Sequence, residues 1–130
     1  MPTIFSKILS GEIPSHKIME DGDYLAFLDV RPIKRGHTLV IPKKEVDYLF
    51  DMDEKLLSGI LPFSKKVATA IKIAIPCKKV GVMVAGLEVP HAHVHLIPIL
   101  NSVHELAFAN AKAANPEDLA ETAKQIRAHL

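Results

Sequence analysis

His91-Ala92-His93-Val94-His95-Leu96-Ile97-Pro98 carries three of the seven histidines in alternating positions. Successive side chains on a strand point to opposite faces, so the spacing predicts a strand over His91 to Ile99. Its three imidazoles line about 14 Å of one face, while Ala92, Val94 and Leu96 take the other. Such a row is a poor way to build a core, because a buried imidazole has to be hydrogen-bonded or held neutral. A chemical role is the better reading. His16, His104 and His129 stand alone in turn or surface contexts, and His37, after Gly36, would pass for a surface histidine by itself.

Working outward, Val80 to Ala85 supplies a preceding strand. Before it, apolar residues recur at helical spacing from Leu56 to Ile75, predicting an amphipathic helix between about Asp53 and Ile75 that lies on a sheet. Pro62 removes one donor, so a kink there or a later helix start is expected. Three short strands precede it, His16 to Glu20, Tyr24 to Asp29 and His37 to Pro42, separated by Asp21-Gly22-Asp23 and by Arg31-Pro32 to Gly36. Thr3 can cap a short helix through Ile4, Phe5, Ile8 and Leu9, stopped by Gly11 and Pro14. Asn115-Pro116-Glu117-Asp118 is a strong start for a C-terminal helix with Leu119, Ala123, Ile126 and Leu130 as its apolar stripe. Ala107 to Ala114 reads as a loose connector. The expected fold is therefore α+β: a five-stranded antiparallel meander sheet with one long helix and a short helix at each terminus.

With 130 residues the chain fits one domain, 1–130, with the helix at about 115–130 as an appendage. A formal charge of +1, 5% aromatic residues and no Trp give no electrostatic case for a nucleic-acid polymer or an anionic membrane as partner. No apolar stretch reaches the roughly 18 residues that span a bilayer. The lone cysteine, Cys77, reads as an incidental thiol, and Met1-Pro2-Thr3 opens no export segment, so a soluble cytoplasmic protein is expected. Lys43 and Lys44 read as a solvated edge.

Two chemistries suit the histidine row. One is a metal site, which a cupin-like barrel would build from a His-x-His pair, but that pattern wants downstream glycines and later ligands, and no glycine follows Gly86. The other is nucleophilic catalysis at phosphorus: one neutral ring attacks, and its second nitrogen donates to a fixed acceptor that sets the tautomer. Flanking rings would then stabilise phosphoryl charge and assist the leaving group.

The segment resembles the defining motif of the histidine triad family of nucleotide hydrolases and transferases. Thr3-Ile4-Phe5-Ser6-Lys7-Ile8, Gly11-Glu12-Ile13-Pro14, Ala26-Phe27-Leu28-Asp29-Val30 and Gly36-His37-Thr38-Leu39-Val40-Ile41-Pro42-Lys43 look like further family blocks in family order, so the likeness covers about residues 3–99. It is nearest to the nucleoside phosphoramidate hydrolases and implies a homodimer with a ten-stranded sheet.

That resemblance implies that His93 attacks the α-phosphorus of an AMP-type nucleotide to give a nucleotidyl-histidine. His91 and His37 would form the relay that orients it, and His95 would contact phosphate and assist the leaving group. Asp29 would accept hydrogen bonds from the ribose hydroxyls, with Ile4, Phe5, Ile8, Phe27, Val30 and Leu39 walling the base pocket. Read alone, the apolar residues are core by default and Asp29 serves equally as a turn-capping carboxylate. No cofactor or metal is implied: some members bind zinc through two N-terminal cysteines, where this chain has Thr3 and Ser6. His95 stands where the transferase branch has Gln, favouring hydrolysis. Ala85-Gly86-Leu87-Glu88-Val89-Pro90 is shorter than the usual Gly-rich phosphate loop, with Leu87 where Gln is common. Leu87 cannot donate to phosphate and Glu88 would repel it. A dinucleoside polyphosphate hydrolase and a nucleotide-binding scaffold with little activity are the alternative readings.

Overall fold

The computed structural model describes residues 2–130. Helix α1 (Ile4–Ser10) is capped by Thr3, whose hydroxyl accepts from the Ser6 amide while the Ser6 side chain accepts from the Thr3 amide. Strands β1 (Lys17–Glu20), β2 (Tyr24–Leu28) and β3 (Thr38–Pro42) follow, then helix α2 (Glu54–Ala74), strands β4 (Lys79–Met83) and β5 (Val94–Ile99), and helix α3 (Pro116–Arg127). All strand pairs are antiparallel. The meander runs through β1, β2 and β3. Beyond them the order is β5 then β4, so the histidine strand is central and β4 forms the edge.

Helix α2 runs unbroken through Pro62 and starts early, because Asp53 accepts from the Leu56 amide at its N-terminus. The later start does not occur: proline deletes only the bond to the carbonyl four residues back, that of Ser58, which sits on the exposed face. The buried stripe Ile60, Phe63, Val67, Ala70 and Ile71 packs on one sheet face against Ala26, Val40, Val94 and Leu96. Each of the larger side chains among them, fully buried, contributes roughly 1.5–3 kcal/mol. Gly59 permits this approach, since any Cβ there would collide with the Tyr24 hydroxyl, which donates to the Leu56 carbonyl at 2.5 Å.

The C-terminal helix, expected as an appendage, is part of this core. Leu119, Ala123 and Ile126 are buried in the same cluster as α2. The expected loose connector before it is also tied down: Lys112 and Ala114 donate their amides to the carbonyls of Pro32 and Val30.

The opposite sheet face carries a second, smaller core in which Phe5 and Ile8 of α1 cover Leu25, Phe27, Leu39 and Ile41. The histidines open on this face.

Candidate active site

Alternation divides the triad segment as its spacing predicts. Ala92, Val94 and Leu96 join the α2 core, while His91 and His93 both meet Phe5 of α1, at ring-centroid distances of 5.8 and 5.0 Å. Regular strand structure begins only at Val94, so His91 and His93 lie on the extended approach to β5. All three rings are buried, and each is satisfied.

The hydrogen bonds set the tautomers. His93 Nδ1 lies 2.8 Å from the carbonyl oxygen of His91. A carbonyl only accepts, so Nδ1 carries the proton and Nε2 keeps its lone pair. His91 Nε2 donates in the same way to the Pro42 carbonyl at 2.8 Å, leaving Nδ1 to accept from the Thr3 hydroxyl at 3.5 Å. At the other end the logic reverses. The Ile33 amide donates to His37 Nδ1 at 3.0 Å, so a neutral His37 carries its proton on Nε2 and donates it to His95 Nδ1 at 2.9 Å. His95 therefore holds its own proton on Nε2. Burial, then the neighbouring His95 and His93, push His37 down to about 3. Burial and His93 push His95 down to about 4. Burial lowers His91 as well, against the Pro42 carbonyl bond, which favours its charged form.

This arrangement corrects one expectation. The ring of His37 engages His95, not His91 or His93, because β3 and β5 pair in a register that sets Leu39 opposite His95. His37, two residues earlier on the same face, becomes the diagonal neighbour of His95. His91 orients His93 through its backbone carbonyl rather than through its ring. Gly36 has φ of 93°, a left-handed turn that favours glycine, and a Cβ there would crowd Ile75 and Pro98. That turn delivers His37 into the sheet at 1% exposure, so it is no surface residue.

Ile4, Phe5, Ile8, Phe27, Asp29, Val30 and Leu39 line one cavity of about 240 Å³ together with His93 and His95. Within it Phe5, Ile8, Phe27 and Leu39 are buried, whereas Ile4 and Val30 are 50% and 57% exposed, so they form a lip. The turn-capping reading of Asp29 holds, since one carboxylate oxygen accepts from the Arg31 amide at 2.9 Å, and the residue also lines the cavity. Burial raises the Asp29 pKa. His37 and His91 stand outside the cavity, behind the rings they support. Sequence reasoning missed Ile13, Pro14, Ser15 and Val89 as walls; Pro14 reads as a helix stop signal, but nothing local brings it to β2. It also missed a second cavity of about 140 Å³ that shares Glu88, His93 and His95 with the first and is closed by Phe108.

Among the described residues, Asp29, His37 and His95 form the one group whose donor atoms could hold a metal ion, all within 4.8 Å. The Nε2 of His37 is already a donor to His95, so a cation would have to displace that proton and turn the ring against the Ile33 amide. Hydrogen bonding accounts for the trio as it stands. No helix among the described residues is long and apolar enough to cross a membrane.

A HIT domain model matches residues 10–101. An uncharacterized HIT-like protein of Methanocaldococcus jannaschii is 38% identical over 95% of this chain and 98% of its own length. The adenosine 5′-monophosphoramidase of Schizosaccharomyces pombe is 32% identical over 100% of this chain and 99% of its own. Among solved structures, a Hit-like protein involved in cell-cycle regulation from Bartonella henselae superposes with a TM-score of 0.88 at 38% identity, covering 98% of this chain and 96% of that one.

Proposed function

The chain belongs to the histidine triad (HIT) family, and on that premise we propose that it hydrolyses a nucleoside 5′-phosphoramidate, or a related adenylate with an amine or acyl leaving group, at the α-phosphorus. The observation that carries this reading is the pair of opposite tautomers at the mouth of an apolar cavity: a free lone pair on His93 beside a proton on His95.

The apolar walls take the base and the free oxygen of Asp29 accepts from the ribose hydroxyls, a task suited to a group without donors of its own. His93 Nε2 attacks phosphorus opposite the leaving group. The phosphoryl charge draws one proton from solvent onto the His95 ring, making an imidazolium that the free protein does not hold. As the P–N bond breaks, His95 gives the departing nitrogen a proton from Nε2. His93 is then a cation, bonded to phosphorus through Nε2 and still donating from Nδ1 to the His91 carbonyl, which stabilises that charge. Water attacks the nucleotidyl-histidine, His95 takes a proton from it, and the P–N bond to His93 breaks. The nucleoside monophosphate leaves, His95 releases its extra proton to solvent, and both rings return to their starting states.

A homodimer is part of the proposal. Strand β4 presents an unpaired edge on which Val82 is 53% exposed and, just beyond its end, Val84 is 42% exposed, and a second copy would cover it.

The test is a fluorogenic adenosine 5′-phosphoramidate. The protein releases amine and AMP, and rapid acid-free quenching traps an adduct on residue 93. AMP binding without turnover would overturn the enzyme reading in favour of a nucleotide-binding scaffold.

A further inference from the structure

Resting on the proposed hydrolysis for its kinetic consequence, we infer that Lys34 and Glu105 are positioning residues for the acid–base end of the site. Their ion pair holds the turn that brings the Ile33 amide to His37 Nδ1, and through His37 it keeps the proton of His95 on Nε2. Among the described residues that amide is the one hydrogen-bond partner of His37 Nδ1. Where it withdraws, the reversed pair becomes available. His95 Nδ1 then donates to His37 Nε2, and His95 Nε2 is left a lone pair with no proton for a leaving group.

Ile33 lies in the connection from β2 to β3, which is neither helix nor strand. Within it the His37 amide donates to the Lys34 carbonyl at 3.0 Å, closing a turn from Lys34 to His37. The first residue of that turn docks it on the rest of the molecule, where Lys34 Nζ donates to Glu105 Oε1. Arg35 adds an exposed bond to Gln125 at 2.6 Å, and Lys112 and Ala114 brace only the residues ahead of Ile33. Glu105 serves as an anchor because the backbone fixes it. Its Oε1 also accepts from the Leu100 amide at 3.0 Å, and Oε2 accepts from the amides of Asn101 and Ser102, each at 2.6 Å. These residues directly follow β5, which carries His95. A closed circuit thus runs from His95 along β5 to the Glu105 carboxylate, across to Lys34, and back through the turn and His37. The Lys34 and Glu105 side chains are 34% and 16% exposed, so solvent and salt screen the pair less than one at the open surface. Lys34, followed by the three amides, holds the Glu105 carboxyl down to about 2, so the pair stays charged wherever both rings are neutral.

The experiment labels the histidines with nitrogen-15 and reads the ring-nitrogen shifts of His37 and His95 in wild type, Lys34→Met and Glu105→Gln at neutral pH. It is paired with kcat and KM for adenosine 5′-phosphoramidate. In the wild type both rings report a proton on Nε2. Lys34→Met leaves the three amide bonds to Glu105 in place. In that variant both rings move toward the Nδ1-protonated form, and kcat falls about fivefold while KM stays within about twofold. Lys34→Arg, which returns a cation to the carboxylate, recovers most of both readouts. Glu105→Gln behaves like Lys34→Met, and the double variant is no worse than the worse single one, because the two side chains act as a unit. Ring shifts in Lys34→Met identical to wild type, with or without a fall in thermal stability, overturn the positioning role and leave the pair a brace of the fold. Ring shifts that respond as expected in a protein whose wild type does not hydrolyse the phosphoramidate overturn the underlying reading instead.

Discussion

His93 and His95 carry the same side chain, share a sheet face and sit two residues apart, yet they offer a substrate opposite atoms. His93 is anchored by a backbone carbonyl, which only accepts, so its Nδ1 is protonated and its Nε2 is a lone pair. His95 is anchored by another imidazole, itself fixed by the Ile33 amide, so its Nδ1 accepts and its Nε2 is protonated. The two ends of the site thus differ in what stands behind the ring. In the proposed reaction the main-chain acceptor prepares the nucleophile, and the chain of donors starting at a main-chain amide prepares the proton donor. Backbone atoms select both, so the assignment depends on the fold and not on the spacing of the motif.

The largest expected effect breaks the nucleophilic end. His93→Ala lowers kcat/KM by at least about 10⁴-fold and abolishes the adduct in quenched reactions, while AMP still binds. His95→Gln keeps a donor but cannot transfer a proton, so kcat falls about 10²- to 10³-fold for an amine leaving group and less for a more acidic one. If both variants lost activity equally for every leaving group, the division of roles would be wrong.

Next in size is the relay. His37→Phe removes the donor to His95 Nδ1, frees the other tautomer of His95 and lowers kcat about tenfold with little change in KM. The same ring governs acid stability. Folded His37 and His95 are held down to about 3 and about 4, whereas the unfolded chain takes up a proton on each near 6.5. Unfolding therefore binds protons below 6.5, and stability contributed by the neutral rings is complete above that pH and lost as the pH falls toward 4. For two rings the slope reaches roughly 3 kcal/mol per pH unit. Urea titrations between pH 7 and 4.5 measure it, and His37→Phe should remove one ring's share of it. A wild-type midpoint that does not move over this range would show that the rings are not held neutral.

What was legible in the chain was local. Thr3 and Asn115 cap the helices expected of them, and alternation sorts His91, His93 and His95 from Ala92, Val94 and Leu96 because each signal needs only neighbouring residues. Insertion of β5 between β3 and β4 has no such signal, since it depends on α2 carrying the chain across to the far edge before it returns. The misplacement of His37 follows from the same gap: its partner is 58 residues away and is set by the pairing of β3 with β5. Phe108 was hidden in an alanine-rich stretch for the same reason. The residues that the family likeness assigns to the nucleoside walls share one cavity, but the likeness says nothing of the second, which residues 85–88 and 108 line together with His93 and His95.

The smallest expected effect sharpens the nucleophilic end. His91 donates from Nε2 to the Pro42 carbonyl at 2.8 Å, a short bond, and accepts at Nδ1 from the Thr3 hydroxyl at 3.5 Å, the outer limit of one. The first bond suffices to fix the ring, and the peptide carbonyl that orients His93 is set by the backbone. Thr3→Val keeps the volume, removes the hydroxyl and loses the helix cap, so thermal unfolding shows a loss of about 1 kcal/mol. At temperatures where the variant is folded, kcat stays within about threefold of wild type. A fall in kcat as large as that from His37→Phe would mean that the carbonyl end also depends on a side-chain relay, and the contrast between the two ends would then be one of degree.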